Sequence, residues 1–357
     1  MRHPSIVERV EQFKLYYARK NERPLFGFFL GSEYPMERYP ASAELPSGRP
    51  LCPSDFRVDR YVEDCVRLFE AHEACGGDFI YSACAYWGTP WLEAALGCPI
   101  FADHSTGSIS TRPPEGFGGA ASIPNFDPAS PWMAKAREFL VRLGEKSRGR
   151  FPLATTRMRG ISDLLSALFG GEGFLFELMS DPGALDPLCE NLTDFWIEFG
   201  KMQLEHIPLF HGGVGSFYYY MWAPEGTVWH QEDAAALLSP SLYDEAIRPW
   251  DEQIVGAFPH CIMHTHPSGF VPYDAYLRMG MTAIEVHIDE GGPRAEALAG
   301  IYRKILEVCP LLIWGDIPEG DLDFIFSELA PQGLAVQTVV QSAEHAQNLL
   351  KRYSPKE

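Results

Sequence analysis

Short apolar runs, β-branched or aromatic in character, alternate along the chain with longer stretches whose apolar positions recur at helical spacing. The runs cover 23–31, 78–84, 151–157, 208–220, 260–266, 281–287, 311–316 and 334–340. Helix-period segments lie at 57–75, 133–147, 174–206, 240–257, 293–307 and 321–329, and a last one at 343–353 follows the eighth run. Eight strands, each followed by helical sequence, predict an α/β fold: a single (β/α)8 TIM-like barrel spanning 1–357. An amphipathic helix pattern over 1–20 precedes it. No GxGxxG follows the first strand, so a nucleotide-binding open sheet loses support. Segments 32–56 and 98–132 are rich in Pro, Gly and Ser and read as loop insertions after early strands, where barrels carry substrate-binding decoration.

Charge narrows the partners. The 357 residues hold 48 acidic and 29 basic side chains, a formal charge of -19. A field of that sign repels phosphate backbones and anionic lipid, which excludes nucleic acid and membrane surfaces as natural partners. Eight Cys are scattered without a CxxC pair and predict reduced thiols. The N-terminal segment lacks the apolar stretch of a signal peptide, and nothing approaches the roughly 20 apolar residues of a membrane span. A cytoplasmic location is expected.

In a barrel the chemistry gathers where strands end. The first run ends at Glu33 and Tyr34, the second at Tyr86 and Trp87, the third at Arg157 and Arg159. The fourth ends in Tyr218, Tyr219, Tyr220, Met221 and Trp222. Then come His264 and His266, Glu285 and His287, and Asp316: five ionisable residues ending three consecutive strands. Residues two apart on a strand share a face, so both imidazoles of the H-x-H reach one point, and Glu285 shares a face with His287. Such ligands suit zinc or a similar divalent ion with a position left open. Candidate metal ligands are His264, His266, Glu285 and His287, and His264, His266, Asp316 and Arg157 are the candidate catalytic residues. The alternative is a metal-free hydrogen-bonded network that shuttles protons. Arg157 and Arg159 read either as a clamp for a substrate carboxylate or as partners of the acidic groups. The stretch 218–233, expected to be a loop, would wall the pocket with Tyr218, Tyr220 and Trp222, joined by Tyr86, with His230 and Asp233 as its polar members. No G-x-S-x-G elbow occurs, and Cys84 and Cys261 lack an activating neighbourhood.

Several segments resemble the uroporphyrinogen decarboxylase superfamily. They are SALFGGEGFLFELMSDPGALDPLCENLTDFWIEF, QEDAAALLSPSLYDEAIRPWDEQIV, IMHTHPSGFVPYDAYLRMGMTAIEV and IWGDIPEGDL, which follow the superfamily's order and spacing over about 160–330. The resemblance implies a TIM-like barrel, a homodimer, and either decarboxylation or zinc-dependent methyl transfer involving a corrinoid or a thiol. The haem-pathway decarboxylase's Arg-rich opening block is replaced by FFLGSEYPMERYP, which argues against a tetrapyrrole with many carboxylates. In the methyltransferase branch the fifth strand carries H-x-C; here His264 matches the His, His266 replaces the Cys, and no Cys follows Cys309. Nitrogen and oxygen ligation would make the ion a stronger Lewis acid. The expected function is a metal-dependent methyltransferase or demethylase of a small molecule, with zinc in the site and a corrinoid carried by a partner protein. A metal-free decarboxylase is the alternative, and a non-catalytic binder of a small anion or methylammonium compound is the third class.

Overall fold

The computed structural model describes residues 4–353, so Met1, Arg2 and His3 of the expected N-terminal helix lie outside the described residues. That helix, Ile6–Tyr17, is opened by Ser5, whose hydroxyl accepts from the Glu8 amide while Glu8 reaches back to the Ser5 amide. Bidentate contacts from Arg9 to Glu73, at 3.0 and 2.7 Å, tie it to the helix Val58–Glu73.

The strands are β1 (Leu25–Leu30), β2 (Ile100–Asp103), β3 (Ser108–Thr111), β4 (Gly213–Gly215), β5 (Trp222–Pro224), β6 (Thr227–Gln231), β7 (His260–Thr265), β8 (Ala283–Ile288), β9 (Leu311–Gly315) and β10 (Leu334–Val340). Six of them form one parallel sheet in the order β1-β10-β9-β8-β7-β6. Strands β8, β9 and β10 are buried along their whole length, as expected of strands covered on both faces. The register sets Gln231 beside His264 and His264 beside Glu285, and one step later His287 beside Trp314. This parallel α/β sheet, with its flanking helices, is consistent with a TIM-like barrel.

The expected strand list needs three corrections. The second and third runs make no continuous ladder; they are extended segments joined by the isolated parallel bridges Ala83–Leu153 and Arg159–Gln231. Pro152 removes a donor there, yet Asp78 donates to the Phe26 carbonyl (2.9 Å) and Gly160 to that of Gln231 (2.7 Å). The fourth run yields only β4, antiparallel to β5, because Tyr218 and Tyr220 adopt positive φ (64° and 54°) and turn the chain. The stretch 218–233, expected as a loop, contains β6, the strand beside β7.

Helices differ in detail. The expected 174–206 helix is interrupted by the turn Pro182–Leu185 into Gly171–Ser180 and Asp186–Glu205, and 240–257 breaks before Pro249 into Pro240–Ala246 and Arg248–Gly256. An additional helix, Ile161–Phe169, follows the third segment. Its first turn is capped from outside by Glu232, which accepts from the Ser162 amide at 2.9 Å and from the Ile161 amide. Gly160 leaves room for that carboxylate: a Cβ there would lie 1.9 Å from Glu232 Oε1. Insertion 32–56 folds into short helical turns, and 98–132 opens with the β2–β3 hairpin. All eight cysteines are free, seven of them buried. No helix among the described residues is long and apolar enough to cross a membrane.

Candidate active site

Both histidines of the H-x-H converge, and a carboxylate orients each. His264 donates through Nδ1 to Glu285 Oε2, which also accepts from the Tyr219 hydroxyl at 3.1 Å. Trp229 Nε1 donates in turn to that hydroxyl at 2.9 Å. His266 donates through Nδ1 to Asp289 Oδ1 at 2.6 Å. With both Nδ1 protons so committed, the two rings turn their Nε2 atoms toward each other, 2.8 Å apart. Two lone pairs do not face each other at that distance unless a proton or a cation lies between them. Asp233 brings a carboxylate oxygen to the same place; it, His264 and His266 offer ligand atoms all within 4.8 Å of one another.

Electrostatics favour a proton on His266 Nε2, donated toward His264 Nε2 when no cation is bound. Burial would raise the Glu285 carboxyl, but its hydrogen-bonded neighbour His264, with His287, holds it down to about 2. Burial would lower His266, but its bond to Asp289 and the fields of Asp233, Asp289 and Glu285 lift it to about 9. Glu33, at the end of β1, is pushed up to about 7 by burial and then by Asp316 and Asp289.

The two arginines divide the roles left open by the sequence. Arg159 Nη1 lies 3.3 Å from Glu93 Oε1, a carboxylate only 2% exposed. Arg157 has no hydrogen bond or ion pair among the described residues and lines a cavity of about 440 Å³ with Trp87, Tyr218, Trp229, His264 and His266. Burial and then Arg159 lower its guanidinium to about 10, still cationic at neutral pH.

The other expected site residues lie elsewhere or on the rim. Tyr218 lines the cavity, as does His287, which packs its ring on Trp314. Asp316 is exposed and lines an adjoining cavity with Glu33 and His287. Tyr220 stacks on Phe29 and accepts from Arg38. Trp222 donates to the Phe210 carbonyl at 2.9 Å, and Tyr86 pairs with Ser42 at 2.8 Å. His230 is fully buried, 3.0 Å from Asp251, and burial lowers its pKa to about 4. Asp289 was missed by sequence reasoning, although E-x-H-x-D continues the alternation of Glu285 and His287 by one step. Tyr219 and Trp229 carried no such signal.

No family model matches the chain, and no curated protein sequence matches it. Among solved structures the chain is similar to a methyltransferase from Methanosarcina mazei, with a TM-score of 0.64 and 12% identity over 96% of this chain and 97% of that one. At that identity the likeness is one of fold, carried over nearly the whole length of both chains.

Proposed function

We propose that this chain is a metal-dependent methyltransferase or demethylase of a small molecule, built on a closed (β/α)8-type barrel in which 78–85 and 151–159 span from β1 to β6. The observation that carries the reading is the convergence of the His264 and His266 Nε2 atoms, 2.8 Å apart on rings each fixed by a carboxylate, with an Asp233 oxygen beside them. That donor set fits a divalent ion: His264 and His266 would hold it, Asp233 would complete the protein ligands, and zinc suits the mixture of nitrogen and oxygen. When bound, the ion supplies Lewis acidity toward a substrate heteroatom. Glu285 and Asp289 take the orienting positions behind the imidazoles. Arg157 holds a substrate carboxylate by its unpaired guanidinium, and Trp87, Tyr218 and Trp229 form the apolar wall that keeps water from the reacting end. The fold likeness to a methyltransferase and the sequence resemblance both support methyl transfer, with a corrinoid on a partner protein as the natural acceptor.

Elemental analysis after chelator treatment and reloading with zinc tests this. One or more equivalents should bind the native chain, and His264→Ala and His266→Ala should each lower the content by one equivalent. Zinc content unchanged in both variants would sink the assignment.

A second reading rests on the same pair of rings. Without an ion, a single proton shared between His264 Nε2 and His266 Nε2 makes the pair a proton donor facing Arg157's cavity. That arrangement suits decarboxylation, with the guanidinium stabilising developing negative charge. Failure to bind zinc at all, together with carbon dioxide release from a small carboxylate, would favour it.

A further inference from the structure

We propose that the substrate of this cavity is a small zwitterion, a carboxylate held by Arg157 and joined through a short chain to a methylated ammonium group seated among Trp87, Tyr218 and Glu33. The proposal rests on the preceding reading for the carboxylate at Arg157 and deepens it by naming the other end of the molecule.

The rings are the first observation. Trp87, Phe217, Tyr218 and Trp229 all line the cavity of about 440 Å³. They form one continuous aromatic wall: Trp87 meets Tyr218 in a T-shape at 5.0 Å between centroids, Phe217 stacks on Tyr218 at 5.2 Å, and Trp229 meets Phe217 in a T-shape at 4.7 Å. No lysine or arginine among the described residues lies over any of the four. The second observation is Glu33, which lines the same cavity. Its Oε1 is buried without a hydrogen-bond partner, and Asp316 and Asp289 add to the negative field around it. Tyr218 is its neighbour: after burial, the Glu33 charge is the one that acts most on the Tyr218 hydroxyl. An unpaired carboxylate beside bare aromatic faces is a site for an organic cation.

The two unpaired charges stand apart. Glu33 follows β1, Arg157 ends the run 151–157, and Trp87 follows the run 78–84 between them, which is joined to β1 through the Asp78 amide and to the later run through the Ala83–Leu153 bridge. The charges that act most on each, after burial, also differ: Arg159, Glu93 and Asp233 on Arg157, but Asp316 and Asp289 on Glu33. A simple carboxylate would leave Glu33 without a counter-charge, and a simple cation would leave Arg157 without one; a zwitterion satisfies both. Methyl groups on the ammonium suit the wall, because they spread the charge and leave little bound water to strip away. An ammonium nitrogen bearing four carbons has no lone pair. The heteroatom presented to an ion on His264 and His266 is then a carboxylate oxygen, and the methyl groups lie against the rings.

The test is calorimetric titration of the zinc-reloaded full chain with two probes of one shape: trimethylammonioacetate, and the tert-butylacetate anion, in which carbon replaces the charged nitrogen. The zwitterion is expected to bind at least about tenfold more tightly, and that ratio should fall toward one in Trp87→Leu and in Glu33→Gln. Because the readout is a ratio within each variant, a general weakening does not mimic the result, and Glu33→Gln keeps the test decisive if Trp87→Leu fails to fold. Equal affinities in the native chain, both weakened by Arg157→Gln, overturn the ammonium site and leave the carboxylate clamp. A native preference that neither Glu33→Gln nor Trp87→Leu reduces overturns the ammonium site as well. Binding of neither probe at millimolar concentration overturns the zwitterion and the clamp together, while the zinc content of the chain remains the separate measure of the metal reading.

Discussion

Arg157 and Arg159 stand two residues apart and differ in whether a carboxylate already holds them. Replacing Arg159 with Gln leaves Glu93 buried without its ion-pair partner, which should cost about 2–3 kcal/mol in denaturant unfolding. Arg157→Gln removes a cation with no partner to orphan, so the unfolding midpoint should stay put. Its effect should be on ligands: a carboxylate substrate should bind roughly 10- to 100-fold more weakly, as expected for losing charged hydrogen bonds of about 1.5–3 kcal/mol. A variant that unfolds early yet binds carboxylates normally would reverse the two roles. The difference was invisible in TRMRG itself, because Glu93 arrives from a helix some 65 positions earlier and nothing near Arg157 in sequence announces that it lacks a counterpart.

At the scale of elements, the junction of the third segment with helix Ile161–Phe169 is the most constrained. Gly160 leaves space that Glu232 occupies, so Gly160→Ala should drive the carboxylate off the helix terminus and cost about 2 kcal/mol. A thermal unfolding midpoint equal to that of the native chain would contradict this. Strands β7 to β10 were legible because their short apolar runs are buried on both faces over all or nearly all their length, and the H-x-H and E-x-H alternations on β7 and β8 name the residues that meet. Strand β6 was not legible. Its Trp229 and His230 sit within a run of aromatics that resembles a rim, and its pairing with β7 is a tertiary fact. Nor was Tyr219 legible as the group behind His264. It reaches Glu285 because Tyr218 and Tyr220 on either side take positive φ, a conformation no local rule assigns to tyrosine.

For the whole molecule, acid should act first where helices are tied by charge. Burial alone would raise the Glu73 carboxyl, but His72 and the paired hydrogen bonds from Arg9 hold it at about 2, against an ordinary 4.5. The native chain therefore binds fewer protons than the unfolded one between those values. Its stability contribution, complete above pH 4.5, drains away as pH falls toward 2. With the side chain 35% exposed, solvent screening reduces this to about 1 kcal/mol, and Glu73→Gln should flatten the stability profile in that window by the same amount. A slope identical to the native one would show that the pair contributes nothing. The pairing of β1 with β10 has a consequence for biogenesis. Leu30 finds its neighbour in Val340, made some 310 residues later. At roughly 5–20 residues per second the ribosome takes about 15–60 s to supply it. Throughout that interval Leu25, Phe26, Phe28 and Phe29 present an unfinished edge to the cell. The nascent chain's exposure to chaperones and to aggregation is thus set by its last strand rather than by its first.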